Sequence, residues 1–277
     1  MLPQFEGFLV IYFIVIFLSR VSIGNCAYSS TISMAEAQKL QDFKNRVEPL
    51  LTKNYTKTDF YLVRWLRAKD FNVIAAEAML KEDIKWRREN KIDTIHMEEF
   101  QDFETEFPIS VDTFDKKGRP GTLDLSHGSF RNVVATGRGH RFSRYFTMLM
   151  ENMTNQVVER QKSGLNAAQW RAIINSEGVN MIGFGCPLCI RLLLQCLSVM
   201  DNHYPEWAYQ VLVIEAPLAM RTIFDVAKPF MSRPTRESML LFGSDKRQWM
   251  KYLDSEIDRA QRRELYGGIK PRQFPVN

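Results

Sequence analysis

The sequence predicts an α/β protein in which a mixed, largely parallel sheet is covered by helices and preceded by a small all-helical domain. Two observations carry this expectation. From residue 33 to about 92 the apolar residues recur at helical spacing, whereas after Pro108 short apolar strands alternate with helices of a dozen or more residues. Strands separated in that way form βαβ units and a largely parallel sheet buried under its helices. The chain of 277 residues, 45% apolar and 25% charged, is long enough for a large core and a small accessory domain. That composition excludes a disordered or fibrous chain.

Each element has its own local signal. Ser33 followed by Glu36 is a capping box, after which Leu40, Phe43, Val47 and Leu50 repeat along one helix face. A second helix starts near Thr58 or Asp59, with Leu62, Trp65 and Leu66 on one side, and Asn72 caps a third that carries Val73, Ala76, Leu80 and Ile84. Ile109, Val111 and Thr113 alternate, Asp115 to Gly118 make a turn, and Leu123 and Leu125 alternate again, which reads as a hairpin. A loop over 126–139 leads into a helix with Phe142, Tyr145, Phe146, Leu149, Met153 and Val157 on its apolar face. The strand 172–174, a helix over 187–204, the strand 211–214, a helix over 219–230 and the strand 239–242 complete the pattern.

The first residues stand apart. Phe8 to Leu18 is an unbroken apolar run, shorter than the ~20 residues that span a bilayer. Small residues near Cys26 suit a signal cleavage site, while Arg20 after the run and no basic residue before it suit a retained anchor with the body in the cytosol. Segment 1–27 is therefore read as signal peptide or signal anchor, and localisation follows whichever applies: secretory pathway, or membrane-associated cytoplasm. Asn54 and Asn152 head formal glycosylation triplets that matter only after entry into the secretory pathway. Of Cys26, Cys186, Cys189 and Cys196, cleavage would leave an odd three, which is no disulfide framework.

Several segments together resemble the CRAL-TRIO lipid-binding and lipid-transfer family, which includes phosphatidylinositol, tocopherol and retinaldehyde carriers. They are LVRWLRAKDFNV at 62–73 with WRREN after it, FDKKGRP at 114–120, NHYPE at 202–206, EAPLAM at 215–220, AKPFMS at 227–232 and LYGGIKP at 265–271. The resemblance implies a helical N-terminal domain over 33–92, a lipid-binding domain over 96–272 and a short tail over 273–277, with no further domain expected after it. It also implies a hydrophobic pocket floored by the sheet and closed by a mobile helix at 219–230. Phe146, Leu149, Ile174, Val213, Met220, Ile223, Phe224, Ala227 and Phe230 are the expected ligand-binding residues.

The residues give this lid a physical basis. Met220, Ile223, Phe224 and Ala227 fall at i, i+3, i+4 and i+7, with Phe230 and Met231 extending the stripe, and Pro229 breaks the helix to make a hinge. Periodicity alone favours an ordinary core helix, and the resemblance makes it a lid. In family members that hold phosphatidylinositol, the acidic residue of the YPE segment and a lysine beyond the lid recognise the headgroup. Here Glu206 matches the first position, whereas Ser238 takes the second and supplies no cation; Arg236, in an extended approach, would be its substitute. The departure shifts the expected cargo towards a sterol, tocopherol, retinoid or fatty-acid derivative. Asn175 replaces an Asp common in relatives; its amide can serve as acceptor in place of the carboxylate but adds donors and loses the charge, so the loop is held differently.

The expected function is therefore to bind a lipid-like molecule in a gated pocket and to transfer or present it between membranes, as a monomer, with no catalysis, cofactor or metal. A lipid-sensing recruitment or protein-interaction module without transfer activity is the alternative. A third reading, thiol oxidoreductase, uses Cys186 and Cys189 at a helix start, although the topology differs from thioredoxin-like units and incidental thiols are the plainer reading. The charge of +5, from 37 basic and 32 acidic residues, suits an anionic membrane surface, and its basic clusters lack interleaved aromatics, which excludes nucleic acid. GVNMIGFGCP at 178–187 lacks a following Lys-Ser or Lys-Thr and excludes a phosphate-binding loop. His96, His127, His140 and His203 share no metal-ligand or catalytic spacing. Arg64, Arg67 and Lys69 either dock on anionic headgroups or bond partners inside the fold, the latter being favoured.

Overall fold

The computed structural model describes residues 32–124, 128–165 and 168–271. Segment 1–27 with its two readings, Leu125, His127 and the tail 273–277 lie outside the described residues. Helix α1 (Met34–Val47) opens on the expected capping box: Glu36 N–H donates to Ser33 Oγ at 3.3 Å, and Ser33 N–H donates to the Glu36 carboxylate at 2.8 Å. Leu40, Phe43 and Val47 are buried. Leu50 is exposed, because Pro49 turns the chain into a 3-10 turn over Glu48–Leu50. Thr58 caps α2 (Asp59–Ala68), and Asn72 caps α3 (Val73–Glu89) by accepting from Ala75 N–H. A short α4 (Gln101–Glu106) leads to the sheet.

Strands β1 (Ile109–Phe114) and β2 (Pro120–Asp124) pair antiparallel, and β2, β3 (Trp170–Asn175), β4 (Ala208–Ile214) and β5 (Met239–Leu241) run parallel in sequence order. The β1–β2 turn is held by Asp115, whose carboxylate accepts from Lys117 and Arg119 backbone N–H groups, each at 2.9 Å. Gly118 supplies the left-handed residue there, with φ +75°. The connections are α5 (Phe130–Ala135) and α6 (Gly139–Lys162) before β3, α7 (Met181–Phe184) and α8 (Pro187–His203) before β4, then α9 (Leu218–Ala227) and α10 (Arg233–Ser238) before β5. Helix α11 (Lys246–Glu256) follows the sheet.

Four features depart from the local reading. Residues 126–139 contain α5, started by Ser129 accepting from Asn132 N–H. α7 and α10, of four and six residues, are too short to show a stripe, whereas α11 is capped by Asp245 and buries Trp249 and Leu253 at i, i+4. The helix read over 219–230 ends its α-helical part at Ala227 and continues as a 3-10 turn over Lys228–Phe230. Cys186 and Cys189 are disulfide-bonded, so two of the described cysteines are not free thiols; Cys196 is free and buried.

Period-2 alternation gives the sheet two apolar faces. Ile173, Leu212 and Ile214 point to the side covered by Trp249, Leu253 and Ile257. Ile174, Val211 and Val213 point to the other side, under α6, α8 and α9. The helical N-terminal segment does not stand apart: Leu62, Trp65, Ala76 and Leu80 share one buried cluster with Leu149, Met153 and Trp170. No described helix is long and apolar enough to cross a membrane.

Candidate ligand cavity

The inner face of the sheet and helices α5, α6, α8 and α9 line an apolar cavity of about 120 Å³. Ile174, Val211 and Val213 form its floor, and Phe142, Tyr145, Phe146 and Leu149 of α6 form one wall. Leu193, Cys196, Leu197 and Met200 of α8 form a second wall, at the i, i+3, i+4, i+7 spacing of one helix face. Met220, Ile223, Phe224 and Ala227 of α9 close it. Its polar atoms are committed elsewhere: Tyr145 Oη donates to the Phe107 carbonyl at 2.7 Å, and burial pushes the Cys196 thiol up to about 12, so it stays neutral.

Eight of the expected ligand residues, Phe146, Leu149, Ile174, Val213, Met220, Ile223, Phe224 and Ala227, line this one cavity. Phe230 does not: it is 67% exposed, and Met231 points into the cavity instead. The 3-10 turn steps about 120° per residue rather than 100°, and Met231 then leaves it with an extended backbone, φ −89° and ψ 143°, which carries the apolar stripe past Phe230. The α8 wall is not singled out by the sequence, because Leu193, Cys196, Leu197 and Met200 sit in an almost continuously apolar stretch. Phe107 and Phe130 also line the cavity, from a loop and from the unforeseen α5, where no periodicity marked them.

Glu206 and Ser238 meet in a separate recess of about 20 Å³, lined also by Gln169, Tyr204, Tyr209 and Thr235. Met200 lines both spaces. The recess holds roughly one water. Burial raises the Glu206 carboxyl above its ordinary value, against the opposing charges of Arg64 and Arg67. Ser238 Oγ donates to the Thr235 carbonyl at 2.8 Å. Arg236 lies on α10, not on an extended segment, and does not line the recess, since residues two apart on a helix point about 200° from each other.

Arg64 is fully buried inside the fold. Its guanidinium donates to the carbonyls of Glu206 and Ala168 and lies between Phe60 and Trp207, 4.2 and 4.0 Å from their ring centroids. Gln169 Nε2 donates to the same Glu206 carbonyl at 3.0 Å. Glu206 has φ +60°, so these bonds fix a left-handed backbone position beside the recess. Asn175 acts as the acceptor expected of it, taking the Glu177 N–H at 3.0 Å. Cys186 caps α8 by accepting from Cys189 N–H at 3.1 Å, and Cys189 is fully buried. Asn152 sits within α6, half-buried and followed by buried Thr154, a poor site for an acceptor triplet; Asn54 is exposed.

Comparison with known proteins gives a consistent result. The CRAL/TRIO domain family model matches residues 104–268. Protein real-time of Drosophila melanogaster is 30% identical over 207 residues, covering 71% of this chain and 31% of its own length. CRAL-TRIO domain-containing protein T23G5.2 of Caenorhabditis elegans is 24% identical over 272 residues, covering 90% of this chain and 37% of its own length. This chain thus spans about a third of the length of the relatives it matches. The crystal structure of Sfh5 superposes with a TM-score of 0.66 at 16% identity, covering 88% of this chain and 90% of that one, which establishes the shared fold. With the family model matching more than half of its length, the chain belongs to the CRAL/TRIO domain family.

Proposed function

We propose that this protein carries one weakly polar lipid-like molecule in the cavity beneath α9 and exchanges it at a membrane surface, as a monomer and without covalent chemistry. The observation that carries the reading is the wholly apolar lining of the cavity, one wall of which is the inner face of the gate helix. At about 120 Å³ it is smaller than the roughly 300–1,000 Å³ of ordinary ligand sites. A lipid therefore enters by displacing α9 outward. The hinge for this motion is the 3-10 turn at Pro229. Each gate side chain lost from the core costs about 1.5–3 kcal/mol unless it finds another apolar surface, which a bilayer provides. Leu218, Val226 and Phe230 are already exposed on or just beyond α9 and extend that surface.

The recess supports a cargo with little headgroup. It has room for about one water, and the Ser238 hydroxyl that faces it is engaged with Thr235. A sterol, tocopherol, retinoid or fatty-acid derivative fits that description better than phosphatidylinositol.

Native mass spectrometry with extraction of bound lipid, followed by exchange of labelled sterol, tocopherol and phospholipid between vesicles, tests the reading. Stoichiometric capture with exchange supports a carrier, and capture without exchange favours a sensing or recruitment module. Neither capture nor exchange refutes both. Phe224→Asp puts a carboxylate in the cavity wall and should abolish most exchange while leaving the far-UV circular dichroism intact; full exchange by the folded variant would remove α9 from the mechanism. Replacing Cys186 and Cys189 by Ser should preserve capture. Insulin reduction that disappears in the double variant would instead favour the oxidoreductase.

A further inference from the structure

Helices α6 and α8 present a second pair of faces, away from the apolar cavity, and with the end of α3 they wall an open cleft of about 590 Å³. Its residues on α6 are Gly139, His140, Ser143, Arg144 and Thr147, the last four each two positions before a residue of the cavity face and so about 200° round the helix from it, and the two spaces share no lining residue. The volume lies within the range of small-molecule sites, roughly 300–1,000 Å³. Along α8 it runs from Leu188 to His203, roughly 20 Å at 1.5 Å per residue.

We infer that this cleft is a binding site for a small amphipathic anion, with an acidic head near Arg191 and an apolar body reaching towards Trp86. No aspartate or glutamate is among its described lining residues, whereas His140, Arg144, Arg191 and His203 are. The nearby carboxylates are already engaged. Arg144 donates to Glu98 at 2.8 Å and holds its carboxyl below the ordinary range, and Asp83 is paired with His203 Nδ1 at 2.9 Å. Arg191 is exposed and makes no hydrogen bond or ion pair with any described residue. Its five donors, with His140 across the cleft, remain available to a carboxylate or phosphate, which a guanidinium grips in bidentate fashion.

The rest of the cleft suits a hydrocarbon body. Leu188, Leu192, Val199 and Ile92 form its apolar wall. At its end the Trp86 indole stacks on His203, with centroids 3.6 Å apart and planes 12° from parallel, giving a flat rigid platform. A cationic ligand would meet only like charge. A ligand without charge would leave Arg191 unused and has the enclosed cavity available to it.

Isothermal titration of the full chain with decyl phosphate, after saturation with decanol to occupy the apolar cavity, tests the site. Decyl phosphate should bind the decanol-saturated protein, and decyltrimethylammonium should not. Arg191→Glu should weaken decyl phosphate binding by about tenfold or more, with Arg191→Gln between it and the parent. Arg191 is exposed, so neither variant disturbs the core, and circular dichroism verifies this. No binding, or binding that both variants leave unchanged, overturns the proposal. Sedimentation with vesicles containing phosphatidate separates the two sources of such an anion. Arg191-dependent sedimentation assigns it to a bilayer lipid, and soluble binding without sedimentation assigns it to a free amphiphile.

Discussion

Arg64 is a charged side chain with no exposed surface, and it ties a helix of the N-terminal segment to two backbone carbonyls of the sheet domain, those of Ala168 and Glu206. Arg64→Ala would take the guanidinium from the Ala168 carbonyl, at about 1–3 kcal/mol, would leave the Glu206 carbonyl with Gln169 as its donor, and would remove a cation held between Phe60 and Trp207. A loss of roughly 3 kcal/mol in urea denaturation is expected, and a loss under about 1 kcal/mol would show the contact to be dispensable. Glu206 supplies a pH test. Its folded-state carboxyl is raised by burial, so its neutral form fits the fold and its charged form costs stability. That contribution is complete below the ordinary carboxylate value and is lost as pH rises through the raised one. Glu206→Gln should therefore melt higher than the parent at pH 8, with the difference closing towards pH 4; a constant difference would assign the effect to packing. The sequence brought both residues to notice but could not place them, because a buried arginine and a headgroup arginine have the same letters around them.

Helix α9 illustrates what periodicity can deliver within a single element. The i, i+3, i+4, i+7 stripe of Met220, Ile223, Phe224 and Ala227 follows from 3.6 residues per turn, and all four line the cavity. The rule fails at Phe230 because the helix tightens to a 3-10 turn at Lys228–Phe230, a change of pitch forced near Pro229. Pro229→Ala restores a donor and permits the α-helix to continue, which stiffens the proposed hinge. Slower exchange of labelled lipid between vesicles is the expected outcome, and exchange at the parent rate would place the hinge elsewhere. Helix α8 shows the converse: its cavity face, Leu193, Cys196, Leu197 and Met200, was regular but lay in an almost continuously apolar stretch, where no single stripe stands out.

At the scale of the molecule the sheet separates two apolar layers, one closed by α11 and one kept open beneath α9. The same β4 strand serves both, with Leu212 and Ile214 packed against α11 and Val211 and Val213 flooring the cavity. The largely parallel direction of the strands and the dominant helices were legible from chain order alone, because short apolar strands joined by long helices leave few alternatives, whereas the strand order came from the structure. So was the family, from motifs spread over 62–271. Whether a layer is filled or left hollow was not legible, since core and cavity are built from the same residue types at the same spacings. That distinction depends on distances between side chains from four strands and four helices. The tertiary structure alone decides it, and in doing so it also turns Phe230 outward, joins Cys186 to Cys189, and sets the basic faces of α6 and α8 opposite Trp86.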